Sequence, residues 1–218
     1  RIIELSSLSF LKNNELLEPH VAFEEIYKKS EGVALFSGTV FGLFGKLFDK
    51  GKFSEIDEVY AKLKSIYEDS FYLEIQRHND QNEISFEKYN LKKSSEFEIP
   101  LIATNETFYI NRDTHEAHDA LICIKNKTYV NEKKRLRFSN HHYFKNDTEM
   151  SELFSDIPEA LENNYNFPYR CSFKPLSSKP ILPNISSDKS GNADDILKKD
   201  SIDGLKNKFL KIFNIKLD

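Results

Sequence analysis

The chain has few of the residues that mark several large classes of protein. Among its 218 residues there is no Trp and one Met, and there are two Cys, seven Gly and seven Pro. So few Gly and Pro exclude collagen-like and low-complexity chains. The two cysteines, Cys123 and Cys171, supply neither a disulfide framework nor zinc-ligand spacing, and we therefore expect a reducing, cytoplasmic setting.

Long apolar runs and an excess of positive charge are also lacking. The longest runs, such as residues 33–36, are far too short to span a bilayer, and we expect no membrane partner. The formal net charge is −4, which does not indicate a protein dominated by nucleic-acid contacts. Because the chain starts at Arg1 rather than Met and stops directly after an amphipathic stretch, we expect an internal fragment of a longer protein.

Aromatic residues, by contrast, are abundant, and apolar runs alternate with helical patterns. The 18 Phe and 10 Tyr can build a core, which excludes wholesale disorder. Three short apolar runs predict buried strands, at residues 33–36, 71–75 and 100–104. Helical patterns separate or follow these runs, and they fall at residues 1–31, 54–67, 83–98 and 113–124. This alternation predicts an α/β fold with a parallel sheet.

Capping residues predict where two of these helices begin. Ser54 is a good N-cap for the first, and Asp113 with Glu116 forms a capping-box pattern for the second. The second helix is predicted to bury a face made of Ala117, Ala120, Leu121 and Ile124.

The character of the sequence changes after residue 125. Residues 125–137 are basic and polar, 148–154 and 158–165 predict short helices, and 174–200 has the composition of a linker. The last stretch, 202–215, has one apolar helical face.

Polar residues follow each predicted strand. Ser37 follows the first, residues 76–78 follow the second, and Asn105 and Glu106 follow the third. Because ligands bind at the carboxyl ends of parallel strands, we expect these residues to line one face of the sheet.

Glu74 is the most informative single residue, because it lies within the second predicted strand between Leu73 and Ile75. A carboxylate there either binds a metal or takes part in a buried ion pair, for which Arg77 is one candidate partner.

The histidines and the basic cluster each allow two interpretations. His78 is either a ligand or a hydrogen-bonded residue at the rim of the sheet. His115 and His118 have a spacing that can share a metal, but a structural or surface role is favoured. For His141 and His142, in a polar loop, we expect the surface. The cluster 133–137 either contacts phosphates or forms a solvated loop, and the loop is favoured.

Several blocks of sequence resemble the PHP domain of bacterial DNA polymerase III alpha subunits. They include residues 31–38 (EGVALFSG), 71–78 (FYLEIQRH), 100–105 (PLIATN) and 116–124 (EAHDALICI). Downstream blocks, among them 158–161 (PEAL) and 179–183 (KPILP), are similar to the exit into the polymerase core. The resemblance covers nearly the whole chain in order.

The resemblance implies a distorted β/α barrel with metal sites at the carboxyl ends of its strands. Glu74 occupies the acidic ligand position of the third motif. The fourth motif, usually Asn-Asp-x-His, reads Asn105-Glu106-Thr107-Phe108 here. Glu74 and Glu106 are therefore degenerate metal-ligand positions, while Phe108 cannot coordinate a metal. On this basis we expect a metal-free, structural PHP barrel in which Arg77 or another cation holds Glu74.

By the same resemblance, the parent protein is expected to be a replicative DNA polymerase. It would use Mg²⁺ held by carboxylates beyond this fragment, a DNA primer-template and deoxynucleoside triphosphates. A proofreading exonuclease subunit and a sliding clamp are the implied protein partners. The predicted divisions are the C-terminal part of the barrel at 1–125, a closing region at 126–173 and a linker with a first core helix at 174–218. The alternative is a metal-dependent phosphoesterase or 3′–5′ exonuclease.

Overall fold

A computed structural model describes residues 1–12, 18–177, 179–180 and 193–216. The chain divides into two compact units, Arg1–Ser172 and Phe173–Asp218. All three predicted strands and the whole candidate site lie in the first unit.

The sheet consists of three parallel strands in the order β1-β2-β3. They are β1 (Leu35–Phe36), β2 (Phe71–Ile75) and β3 (Leu101–Ala103). In the register of the sheet, Leu35 is opposite Phe71 and Glu74 is opposite Ile102. The α/β class predicted from the sequence is thus confirmed, whereas the barrel implied by the resemblance stays a prediction.

Helices precede, separate and follow the strands. In chain order they are α1 (Ile2–Leu11), α2 (Phe23–Lys28), α3 (Leu43–Asp49), α4 (Phe53–Tyr67), α5 (Glu83–Phe97), α6 (His115–Asn126), α7 (Asp147–Leu153), α8 (Pro158–Arg170) and α9 (Ala193–Phe213). Short 3₁₀ turns cover Glu68–Ser70 and Arg112–Thr114. Within the described residues, no helix combines the length and the apolar character needed to cross a bilayer.

The core is built from the sheet, α4, α3, α5 and the segment that joins α7 to α8. Helix α4 buries Ile56, Tyr60, Leu63 and Tyr67, which follow the predicted 3–4 spacing. In β2, four of five side chains are buried and only Glu74 is partly exposed. Burying side chains of this size stabilises the fold by about 1.5–3 kcal/mol each, so the position of β2 is strongly determined.

The outer edge of β3 is covered by side chains of α8. The amides of Asn163 and Asn164 donate hydrogen bonds of 2.7 Å to the carbonyl oxygens of Leu101 and Ala103. These two carbonyls are on the side of β3 that faces away from β2, where unpaired groups would otherwise be exposed.

The predicted helix starts are wrong in two places. Helix α4 begins at Phe53 with Lys52 as its N-cap, and no side chain caps it, so Ser54 lies inside the helix. Helix α6 begins at His115, because the 3₁₀ turn takes up Asp113. The structure instead has a capping box at α7, formed by Asn146 and Glu149.

The predicted buried face of α6 is also wrong. Asp119 and Cys123 are buried, whereas Leu121 and Ile124 are 62% and 76% exposed. Asp119 forms a two-pronged ion pair with Arg135, at 2.5 and 2.6 Å, and this pair lies on the buried side of the helix.

The second unit contributes one helix among the described residues. Helix α9 confirms the predicted helical stretch at 202–215 in large part, and the rings of Phe209 and Phe213 are 5.5 Å apart on it. Most of the predicted linker at 174–200 lies outside the described residues, and the three predicted domain divisions stay predictions.

Candidate functional site

The carboxyl ends of the strands bring polar side chains together, as predicted. Ser37 directly follows β1, and its hydroxyl oxygen accepts a 3.0 Å hydrogen bond from the backbone N–H of Glu74. The Glu74 carboxylate accepts from the Thr104 hydroxyl and, at 3.2 Å, from the side-chain amide of Gln76. Gln76 also donates to Thr104 at 2.8 Å, so neutral donors hold Glu74.

The expected ion pair between Glu74 and Arg77 is wrong. Arg77 pairs instead with Glu87, at 2.5 Å, and with Asp156, at 2.6 Å. The reason is geometric, since residues an odd number of positions apart on an extended segment point to opposite sides. Gln76, two positions from Glu74, shares its side and makes the contact.

Two buried imidazole rings form the centre of the site. His78 is 1% exposed and His142 is fully buried. Their rings stack with centroids 4.0 Å apart and planes within 3° of each other. His78 is therefore a hydrogen-bonded residue of the interior, and the surface position expected for His142 is wrong.

Each of these histidines has polar partners. Nε2 of His78 lies 3.1 Å from the side-chain oxygen of Asn105, and its backbone N–H donates to the Glu83 carboxylate at 2.8 and 2.9 Å. His142 has Nε2 at 3.0 Å from Asp80 and Nδ1 at 3.2 Å from the carbonyl oxygen of Glu106. All four groups come from loops that follow β2 and β3, or from the start of α5.

Asn105 connects these partners to a buried lysine. Its side-chain oxygen accepts a 2.7 Å hydrogen bond from Nζ of Lys145, and its amide donates to the carbonyl oxygen of Tyr143 at 2.9 Å. Lys145 also donates to the carbonyl oxygen of His141. Burial of the ammonium lowers the pKa of Lys145.

The fourth-motif residues Glu106 and Phe108 lie on the outer side of this centre. The carboxylate of Glu106 is partly exposed and approaches Nδ1 of His142 at 3.6 Å. The ring of Phe108 stacks between His118 and His142, with both centroid distances 5.0 Å. Four rings, from His118 through Phe108 and His142 to His78, thus follow one another in contact.

His115 and the basic cluster have structural contacts. Nε2 of His115 lies 2.9 Å from the carbonyl oxygen of Phe138, while His118 is part of the ring series. Within the basic cluster, Arg135 pairs with Asp119, and Lys133 and Lys134 are exposed. Arg135 is therefore a structural residue. The solvated loop favoured from the sequence holds for Lys133 and Lys134 but not for Arg135.

One group of residues in the described part of the chain offers metal-ligand atoms close together. These atoms of His78, Asp80 and His142 lie within 4.8 Å of one another. The residue types suit Zn²⁺.

The orientation of the two rings does not suit a shared ion. An imidazole binds a metal through a lone pair in the plane of its ring, at about 2.0–2.1 Å. The planes of His78 and His142 are nearly parallel and stacked, so no single ion lies in both. In this arrangement both rings make hydrogen bonds to protein groups, His78 to Asn105 and His142 to Asp80.

Sequence reasoning missed His142, Asp80 and Lys145. These residues are buried by a contact between segments that are far apart in sequence. An isolated bridge pairs Tyr109 with Tyr143 and places the loop over the sheet edge. The N–H of Phe108 donates to the carbonyl oxygen of His142 at 2.9 Å and extends this pairing. A polar loop gives no local pattern that would reveal such a contact.

Comparison with known proteins identifies relatives along most of the chain. Residues 1–78 match the PHP domain family. The chain is 34% identical over 203 residues to a DNA polymerase III subunit alpha of Caulobacter vibrioides, which covers 93% of this chain and 18% of that protein. The corresponding subunits of Rickettsia bellii and Borreliella burgdorferi are 34% and 33% identical, over 94% and 84% of this chain. The chain spans less than a fifth of the length of these curated relatives.

Proposed function

Because residues 1–78 carry a PHP domain and the chain is homologous over most of its length to DNA polymerase III alpha subunits, we propose that it is part of a replicative DNA polymerase. The whole protein would extend a primer on a DNA template from deoxynucleoside triphosphates. Its Mg²⁺ ions and their carboxylate ligands belong to a part of the polypeptide that these residues do not include.

The role proposed for this segment is that of a structural PHP domain that does not hold metal. The observation that carries this proposal is the parallel stacking of His78 and His142, which keeps their lone pairs from meeting at one ion. Two further observations support it. Glu74 is already bound by Thr104 and Gln76, and an apolar ring, Phe108, stands where the resembling motif has a ligand.

In this role the domain braces the polymerase. Contacts with a proofreading exonuclease subunit and with a sliding clamp belong to the same proposal, since the resemblance implies both. Template-dependent incorporation of nucleotides by the intact protein is the expected activity, and an intact protein that incorporates none would contradict the assignment.

A second candidate function is metal-dependent cleavage of phosphodiester bonds, as a phosphoesterase or a 3′–5′ exonuclease. The observation that favours it is the group His78, Asp80 and His142, whose ligand atoms lie within 4.8 Å of one another. For these residues to share an ion, one ring would have to leave the stack and Asp80 would have to give up its hydrogen bond to His142.

Metal content separates the two candidates. The intact protein is dialysed against Zn²⁺ or Mn²⁺, freed of excess ion and measured by mass spectrometry for metal per chain. We expect far less than one equivalent, with no change on Asp80→Asn. Asp113→Asn, which alters an exposed carboxylate outside the cluster, is the matched control.

Removal of 3′-terminal nucleotides from a labelled single strand is measured in parallel. One metal equivalent that Asp80→Asn abolishes, together with nuclease activity that Glu74→Ala abolishes, would establish the metal-dependent function instead. Phe108→His is a further variant in the same measurement, because it restores an imidazole at this position. No gain of metal in this variant would indicate that the stacked rings themselves prevent binding.

A further inference from the structure

Helix α6 presents part of its apolar surface to solvent. Leu121 and Ile124 are one turn apart on this surface, with Ala117 a further turn toward the start of the helix. All three are exposed, and Ile124 is 76% exposed. We call Ala117, Leu121, Ile124 and the neighbouring Lys125 the outer α6 face.

The orientation of the helix is held by specific contacts. The opposite side carries Asp119, whose ion pair with Arg135 is almost entirely buried. His115 also contacts the following loop, with its Nε2 2.9 Å from the carbonyl oxygen of Phe138. These contacts direct Asp119 inward and leave Ala117, Leu121 and Ile124 exposed in this chain.

Further exposed apolar residues follow directly after the helix. Tyr129 and Val130 are 74% and 60% exposed. The guanidinium of Arg135 connects the following loop to this region. It donates to the carbonyl oxygen of Val130 at 3.0 Å and pairs with Asp119. The loop therefore extends the apolar surface beyond the C-terminal end of α6.

Positive charge predominates in the sequence from the second half of α6 through the loop that follows it. Residues 120–137 contain six Lys and Arg and one acidic residue, Glu132, although the whole chain has a net charge of −4. Asp119 pairs with Arg135 and also lies 3.9 Å from the guanidinium of Arg137. The exposed cations are Lys125, Lys127, Lys133, Lys134 and Arg137. Charge of this sign beside exposed aliphatic side chains favours an acidic partner that also has an apolar side.

We infer that the outer α6 face, with Tyr129, Val130 and the surrounding cations, binds an acidic amphipathic helix of a partner protein. A single strand of nucleic acid would need aromatic platforms for its bases, and this surface offers Leu, Ile and Val with one Tyr. Aliphatic residues at helical spacing pack against a second helix, and flanking Glu or Asp of that helix meet the cations. The inference does not depend on the proposed polymerase role.

The test measures binding of defined probes to the intact protein by fluorescence anisotropy. The first probe is a labelled amphipathic peptide of about 18 residues with Leu on one helical face and Glu on its flanks. The second peptide has Lys in place of every Glu, and the third probe is a labelled oligo-dT strand. We expect saturable binding of the Glu peptide only, weakened by added salt.

Variants locate the binding. Ile124→Glu is expected to weaken binding of the Glu peptide about tenfold or more, as loss of a central apolar contact does. Lys125→Glu, which removes a cation without touching the apolar residues, is expected to weaken it as well. Ile84→Glu is the matched control, because Ile84 is an isoleucine of α5 that is 68% exposed, and it should leave binding unchanged.

Several results would overturn the inference. They are absence of saturable binding of the Glu peptide, equal binding of the Lys peptide, and an equal loss of binding in Ile84→Glu. Binding of oligo-dT that depends on Ile124 and Lys125 would assign the surface to nucleic acid instead. Circular dichroism of each variant ensures that a lost affinity reflects the surface and not the fold.

Discussion

At the scale of single residues, Phe108 joins two histidines that would otherwise be separate. Its ring lies 5.0 Å from the rings of both His118 and His142, and His142 in turn stacks on His78. A charged imidazole in such a series must be accommodated among apolar rings and other histidines. Burial lowers the pKa of His118, and protonation of this side chain is therefore coupled to the stability of the region.

Acidification is predicted to destabilise the protein through His118. Burial, then repulsion by His115 and His142, lowers the pKa of His118, and Asp119 opposes this only in part. The unfolded chain, with a pKa of about 6.5, binds the proton more readily. This contribution to stability is thus complete above about pH 6.5 and is lost as the pH falls through the lower pKa of the folded state.

The measurement is the free energy of unfolding in urea, followed by circular dichroism between pH 7.5 and 5.0. We expect it to fall with pH and to fall less in His118→Phe, which keeps a ring in the series. Some dependence on pH should persist, because burial also lowers the pKa of His141. An identical slope in the wild type and in His118→Phe would refute this role of His118.

At the scale of helices and strands, Arg77 links three elements at the carboxyl end of β2. It binds Glu87 on α5, Asp156 between α7 and α8, and the carbonyl oxygen of Leu153 at the end of α7. Its guanidinium also lies 4.9 Å from the centre of the Phe154 ring. One side chain thus joins the strand that carries Glu74 to two helices that follow later in the chain.

Arg77→Met is predicted to lower the free energy of unfolding by about 1.5–3 kcal/mol, the range for hydrogen bonds to charged groups. The carboxylates of Glu87 and Asp156 lose their partner, while the methionine keeps much of the apolar volume. The value is measured by urea denaturation of the wild type and the variant, with the dependence of the free energy of unfolding on urea concentration fitted in the same way for both. Lys92→Met is the control, because Lys92 makes an exposed pair with Glu96 and its loss should cost about 0.5 kcal/mol or less. Equal effects of the two substitutions would show that Arg77 does not act as a link.

At the scale of the whole molecule, the described core belongs to the first unit alone. Every residue of the main hydrophobic cluster lies between Val40 and Ala160, and α9 contributes no buried residue. Burial of apolar surface is the main source of stability. The buried core of the first unit is therefore built from residues of that unit.

Removal of residues 173–218 is predicted to change the free energy of unfolding by less than about 1 kcal/mol, a small fraction of the stability of a domain. Far-UV circular dichroism is a suitable probe because the chain has no Trp. The helical circular dichroism signal should decrease by the contribution of α9. The urea concentration at the midpoint of unfolding should stay nearly unchanged. A large shift of the midpoint would mean that the second unit stabilises the first.

The sequence by itself determined the strands, the face of α4 and the polar residues at the strand ends. These features depend on local periodicity, and burial of Ile56, Leu63, Phe71 and Leu73 enforces them. Ser37, Glu74, His78 and Asn105 could be assigned to one edge of the sheet because parallel strands end at the same edge.

Only the tertiary structure decided which side of α6 is buried, where His142 lies and which carboxylates Arg77 binds. Each of these depends on residues far apart in sequence, such as Asp80 and His142 or Arg77 and Asp156. In α6 the apolar pattern pointed the wrong way, because a charged residue is buried when a partner neutralises it. Arg135 is that partner for Asp119, and its position depends on the folded loop rather than on the local pattern of α6.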